Sequence, residues 1–158
     1  MNKFLLAICI AAASLLYGCD PDYLLKGKHD FPDQQWAYAD SLRFEFDVQD
    51  TTSIYNLNAA LTHSTEYSFQ NLYIRIHTLF PSGERLTKVV SLELTDKTGL
   101  WVGDCSSQTC EIELPVQEGL YFNQLGHYSI VVEQFMRQDM LPGLKNFSFL
   151  IEDSGRKR

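Results

Sequence analysis

An all-β domain, an antiparallel β-sandwich of jelly-roll or immunoglobulin-like type, is the fold class that this sequence predicts. Seven or eight short runs of alternating apolar and polar residues follow one another, separated by turn signals at intervals of about 8 to 12 residues. Strand-forming residues are abundant, with 10 Phe and 8 Tyr beside many Val, Ile and Thr, and alanine is scarce beyond the N-terminal segment. Proline and glycine punctuate the runs, as in Phe80-Pro81-Ser82-Gly83 and Leu141-Pro142-Gly143, where their chemistry favours turns. A closed barrel is the architectural alternative, and no repeat of fixed period is present.

The first element is not part of that domain. Lys3 precedes an uncharged run from Phe4 to Leu16, and Leu16-Tyr17-Gly18-Cys19 closes it. The run is too short for a permanent membrane helix of about 20 residues and suits the apolar region of a signal peptide. It resembles bacterial lipoprotein signals, in which the cysteine thiol takes a diacylglyceryl group and cleavage leaves that cysteine as the N-terminus. Residues 1–18 are therefore expected to be a cleaved lipoprotein signal peptide and Cys19 the lipid attachment. An ordinary signal peptide with a chance cysteine is the alternative. Residues 19–34, polar and carrying Pro21 and Pro32, read as the anchor cysteine and a tether.

The sandwich is expected over residues 35–153, with residues 154–158 as a disordered tail. Leu42, Phe44, Phe46 and Val48 alternate with Arg43, Glu45 and Asp47, the period of a half-buried strand. Asp50-Thr51-Thr52-Ser53 is a turn cluster, and Tyr55, Leu57, Ala59 and Leu61 give a second strand. Tyr73 to Leu79 gives a third, ended by the Pro81 and Gly83 turn. Leu86, Lys88, Val90, Leu92 and Leu94 give a fourth, in which Lys88 demands an edge or end position. Leu100 to Val102 and Cys105 to Leu114 read as a short strand and a hairpin arm, while Gln117 to Leu125 fits either an irregular connection or one helical turn. Gly126 opens a strand with Tyr128, Ile130 and Val132 on one face, and Gly143 opens the last, with Phe147, Phe149 and Ile151.

Charge excludes one class of partner. The chain carries 13 basic and 20 acidic side chains and no basic stripe, which argues against nucleic-acid binding. Its cysteines separate by fate: Cys9 leaves with the signal, Cys19 is the lipid site, and Cys105 and Cys110 remain, with four residues between them, in a compartment where disulfides persist. We expect them to pair, closing a ring worth about 2 kcal/mol. A metal reading competes, but two cysteines with no histidine nearby make half a zinc site.

No catalytic or cofactor motif is present. His29, His63, His77 and His127 lack the spacing of a metal site, and no nucleophile elbow, phosphate loop or calcium loop occurs. Glu45 with Asp47, and Glu111 with Glu113, are same-face pairs that a glycoside hydrolase could use across a groove, but such pairs are ordinarily the solvated side of a strand. Trp36, Tyr38 and Trp101 could stack on sugars, the basis of a glycan-binding alternative, although rings of this size are as much at home in a sandwich core.

Several segments, in order, resemble the gliding-motility lipoprotein GldH family of the Bacteroidetes. They are the lipid cysteine and the Trp36 segment, Leu42 to Val48, and the block Tyr55 to Ile76 with its run Glu66-Tyr67-Ser68-Phe69-Gln70-Asn71-Leu72-Tyr73. The loop from Leu94 to Gly103, with Asp96, Gly99, Trp101 and Gly103, and the close from Gln134 to Gly143 complete the set. The resemblance implies a membrane-anchored, non-catalytic envelope component, without cofactor, associated with gliding and with a linked secretion system, at the outer membrane. Cys105 and Cys110 depart from the family pattern, in which this turn is rich in glycine, and so read as a local staple.

Overall fold

The computed structural model describes residues 21–158. The expected signal peptide and the expected lipid-attachment residue, Cys19, lie outside the described residues. The described chain forms β1 (Tyr23–Asp30), a 3-10 turn (Pro32–Gln34), β2 (Gln35–Ala37), β3 (Ser41–Val48), β4 (Ser53–Ser64), β5 (Asn71–Leu79), β6 (Arg85–Glu93), β7 (Asp104–Cys105), β8 (Thr109–Leu120), β9 (Gly126–Gln134), β10 (Met140–Pro142) and β11 (Leu144–Lys157). Eight of these are long; β2, β7 and β10 have two or three residues each.

Two antiparallel sheets face one another, in the orders β1-β11-β4-β8-β7 and β3-β9-β5-β6, and a small ribbon pairs β10 with β2. With the eight long strands taken in chain order, the sheets read first-eighth-third-sixth and second-seventh-fourth-fifth. That is the order of a jelly roll, two Greek keys folded over each other, and it decides between the two expected sandwich types. The sheets have free edges, so the barrel alternative falls.

The core lies between the sheets and is largely aromatic. β3 alternates without a break, with Leu42, Phe44, Phe46 and Val48 buried and the intervening residues exposed. Phe44 stacks on Phe149 of β11 at 5.9 Å and Phe46 on Tyr128 of β9 at 5.6 Å, while Phe122 meets Phe46, Tyr55 and Tyr128. Such pairs add about 0.5–1.5 kcal/mol each beyond the area they bury.

Four expectations need correction. The tether over residues 19–34 gives way to a strand from Tyr23 to Asp30, paired with β11 from Glu152 to Asn146. Its inward position Gly27 bears the Phe44 ring, and a Cβ there would stand 2.3 Å from Phe44 Cδ1; a glycine where a hydrophobe would normally sit removes the periodic signal. The tail over residues 154–158 is likewise ordered as the end of β11, with Arg156 paired to Ile54 and Lys157 to Ser53. A bulge around Gly155, at φ +70°, breaks the alternation, and hydrogen bonds in place of apolar contacts hold it: Ser154 Oγ donates to the Ile54 carbonyl at 2.6 Å and Arg158 N to Thr52 at 2.9 Å. The sandwich thus spans residues 23–157, wider than 35–153 at both ends. Finally, β8 runs on to Leu120, where two register shifts opposite Leu57 hide the strand, and Leu100 to Val102 is reduced to a single bridge between Thr95 and Trp101.

The long axis has two distinct ends. One, here the loop end, gathers residues 31–40, 64–70, 94–109 and 135–143. The other, the hairpin end, gathers the start of β1 and the turns at 49–52, 80–84 and 121–125.

Candidate functional site

Four stretches of the family-like pattern, the Trp36 segment, the run Glu66 to Tyr73, the loop Leu94 to Gly103 and the close Gln134 to Gly143, reach the loop end, and side chains hold them there. Trp36 is fully buried between Phe31, stacked at 5.0 Å, and Phe147 at 5.4 Å; its Nε1 donates to the Asp40 carbonyl at 3.0 Å. That bond closes the turn after β2, whose Trp36 pairs with Leu141 of β10. The segment that holds β10 is fixed from the other side by Gln134, itself buried, which donates to the Gln138 carbonyl at 2.6 Å and accepts from Met136 N at 3.0 Å. Phe135 N then donates to the Tyr73 carbonyl at 2.7 Å.

The loop from Leu94 to Gly103 is built around Asp96. Its Oδ1 accepts from the Thr98 hydroxyl at 2.7 Å, Thr98 N at 2.8 Å and Leu100 N at 3.0 Å. These bonds, the hydroxyl first, hold the carboxyl below its ordinary range. Gly99 takes φ +85°, and Gly103, at φ +101°, leaves no room for a side chain, because a Cβ would lie 2.3 Å from the Glu111 carbonyl oxygen. Both glycines serve backbone geometry. Trp101 Nε1 reaches across to the Thr65 carbonyl at 3.2 Å, and its ring lies 4.6 Å from that of His63.

His63 occupies the centre. It is fully buried at the inward end of β4, one step further along the Tyr55, Leu57, Ala59, Leu61 face, so the alternation itself signals the position. Its Nδ1 lies 2.9 Å from the Ser64 carbonyl; a carbonyl only accepts, so Nδ1 carries the proton in the neutral ring. Burial holds the imidazole below its ordinary pKa, opposed by that hydrogen bond. Tyr67 packs beside it at 5.8 Å, and burial raises its hydroxyl above the ordinary range. His63 Nε2 and the Tyr67 hydroxyl are buried without a hydrogen-bond partner among the described residues.

The Cys105–Cys110 disulfide is present and acts on this end. His63 pairs with Cys110 and Ser64 with Thr109, while Thr65 N donates to the Gln108 carbonyl at 3.1 Å. The staple therefore fixes the turn against which the Thr65 segment is hydrogen-bonded. Around this frame Tyr38, Leu100 and Met140 project into solvent, with Leu100 68% exposed.

The remaining candidates lie elsewhere. Glu45 and Asp47 are on the solvent face of β3 beside His127, whose Nδ1 is 3.1 Å from Asp47 Oδ1. Glu111 and Glu113 are on the solvent face of β8, where Glu113 accepts from Asn58 Nδ2 at 2.7 Å. His77, on β5, contacts Thr87 Oγ1 at 2.8 Å and Glu133 at 3.3 Å, and His29 lies against Phe31. Among the described residues, no group of three or more His, Cys, Asp or Glu is placed to hold a metal ion. Lys88 is on β6, an edge strand as its charge requires.

Comparison with known proteins gives a consistent result. A family model described as GldH lipoprotein matches residues 24–151. The gliding motility lipoprotein GldH homolog of Christiangramia forsetii is 26% identical over 127 residues, 76% of this chain and 78% of that protein. The gliding motility lipoprotein GldH of Flavobacterium johnsoniae is 28% identical over 154 residues, 92% and 94% of the two chains. Among solved structures, a non-crystalline cellulose specific carbohydrate-binding module aligns over 83% of this chain and 74% of its own at 12% identity, with a TM-score of 0.40, too distant to bear on ligand or function. With most of its length matched by the family model, the chain belongs to the GldH lipoprotein family.

Proposed function

We propose that this protein is a non-catalytic accessory or scaffold component of the cell envelope, held at the outer membrane by lipid on Cys19 and associated with gliding motility and its linked secretion machinery. Membership of the GldH lipoprotein family supports the association with gliding. The observation that carries the scaffold reading is the convergence of four of the family-like stretches on the loop end, where buried residues hold long connections and leave Tyr38, Leu100 and Met140 outward. Loops positioned by a rigid scaffold are where binding residues concentrate. The partner is another envelope protein. No cofactor is invoked, and the paired carboxylates are assigned to solvated strand faces. Of the three rings offered for glycan stacking, Trp36 is fully buried and Trp101 half-buried, which leaves Tyr38 alone in solvent.

Capture of crosslinked envelope proteins tests this reading. Leu100→Asp with Met140→Asp is expected to lose the partner, while Val89→Asp, on an exposed position of β6, keeps it; unchanged capture by the loop-end variant overturns the assignment. The anchor is tested separately. A Cys19→Ala chain that still sediments with membranes after signal cleavage shows that Cys19 is not the attachment.

A further inference from the structure

We propose that the hairpin end of the sandwich rests on the lipid surface and inserts Leu125, Tyr121 and Leu86 into its interfacial layer. The inference rests on acylation of Cys19 and goes beyond it, since a tether alone leaves the orientation of the domain open.

Chain length supplies the first argument. Tyr23 follows Cys19 by four residues, and an extended chain advances about 3.3–3.6 Å per residue, so the anchor lies within about 14 Å of the start of β1. The strand points toward the hairpin end there, because the Asp22 carbonyl still accepts from Asp153 N of β11 at 2.8 Å. The loop end lies at the far end of β4, a 12-residue strand of roughly 40 Å at about 3.3 Å per residue. The domain must stand on its hairpin end or lie on a sheet face. The faces are poor candidates: β3 presents Arg43, Glu45 and Asp47 outward, and β8 presents Glu111 and Glu113.

The second argument is what the hairpin end exposes. Leu125 is 61% and Leu86 57% exposed. Leu86 is on the inward face of β6, the face of the buried Leu92, and is exposed because the two sheets part at this edge. They leave an apolar cleft of about 140 Å³ floored by Leu57, Ile76, Phe122 and Ile130. Tyr121 is half exposed with the Arg158 guanidinium 4.6 Å over its ring, an amphipathic pair of the sort that places an apolar body in the membrane and a cation at the headgroups.

Charge is the third argument. The hairpin end gathers four bases, Arg85, Arg156, Lys157 and Arg158, among six acids that include Asp50, Glu118, Glu152 and Asp153, whereas the loop end has three, Lys97, Arg137 and Lys145, among six. Three of the hairpin-end bases are consecutive, and anionic headgroups attract such a cluster.

The test uses the acylated protein in phosphatidylethanolamine and phosphatidylglycerol vesicles. An environment-sensitive fluorophore is placed at Leu125→Cys, at Leu86→Cys and, as the distal control, at Leu100→Cys, with Cys105 and Cys110 left oxidised. The expected result is blue-shifted emission quenched by nitroxide-labelled lipid at positions 125 and 86, and neither effect at 100. Protein that floats with the vesicles while positions 125 and 86 remain unquenched overturns this inference and leaves the anchor standing. A blue shift without lipid quenching signals protein contact at that end and overturns it equally. Protein that fails to float removes the anchor and the inference together.

Discussion

At the loop end, connections of up to 15 residues between β6 and β8 are held by buried or half-buried side chains: Trp36 on the Asp40 carbonyl, Trp101 on that of Thr65, Gln134 on that of Gln138. At the hairpin end the turns are short and close largely on their own polar groups, with Lys157 and Gln124 joining them from neighbouring segments. Asp50 Oδ1 accepts from Thr52 N at 2.7 Å, and Gly83 N donates back to Phe80 at 2.9 Å; Asp50 is held well below its ordinary carboxylate range, first by Lys157 and then by Thr52 and Ser53. The difference teaches where the fold invests its order. Short turns close mainly through local bonds, whereas long connections stay ordered only if buried side chains reach out to them, as Trp36, Trp101 and Gln134 do at the loop end.

The largest expected effect sets the two ends directly against each other. Trp36→Ala removes a fully buried ring from the loop end and is expected to cost about 3–5 kcal/mol. Leu125→Ala, at an exposed hairpin position, is expected to stay within about 0.5 kcal/mol. Chemical denaturation of both variants checks this, and comparable losses would erase the contrast.

A smaller effect sharpens it. Loss of the disulfide in the Cys105→Ala, Cys110→Ala double variant is expected to cost about 2 kcal/mol. Hydrogen exchange should accelerate at Thr65 and Gln108 and remain unchanged in β1 and the end of β11. Faster exchange at both ends would mean that the bridge supports the whole sandwich and not one turn.

The smallest effect is a pH dependence. Burial holds the His63 pKa below its ordinary 6.5, so below that value the unfolded chain binds a proton that the folded one resists. Its contribution is therefore present above about pH 6.5 and lost as pH falls. Denaturation midpoints between about pH 7.5 and 5.5 should fall for the native chain and fall less for His63→Phe. Identical slopes would show that His63 is not held neutral by the loop end.

The sheets were legible in the sequence where burial follows alternation. β3, β4 and β9 show their inner faces as unbroken hydrophobic series, and extending the β4 series by one step reaches His63. β1 was not legible, because Gly27 stands where a hydrophobe would be and the ring that fills the space is contributed by Phe44. The last residues of β11 were hidden for a related reason, since backbone pairing and the Ser154 and Arg158 hydrogen bonds hold them. The convergence at the loop end escaped the sequence altogether. Trp36, Tyr67, Trp101 and Gln134 come together only once the Greek keys are folded over, although Asp96, Gly99 and Gly103 did announce a loop of fixed geometry. Of the rings offered for binding, Trp36 belongs to the core and Tyr38 does not.

The central claim, that the loop end meets protein while the hairpin end meets lipid, is tested most directly by photo-crosslinking the acylated chain in intact cells from two positions, Leu100 and Leu125. The account predicts that Leu100 captures an envelope protein and Leu125 captures lipid. Lipid at Leu100 with protein at Leu125, or the same species at both, would contradict it.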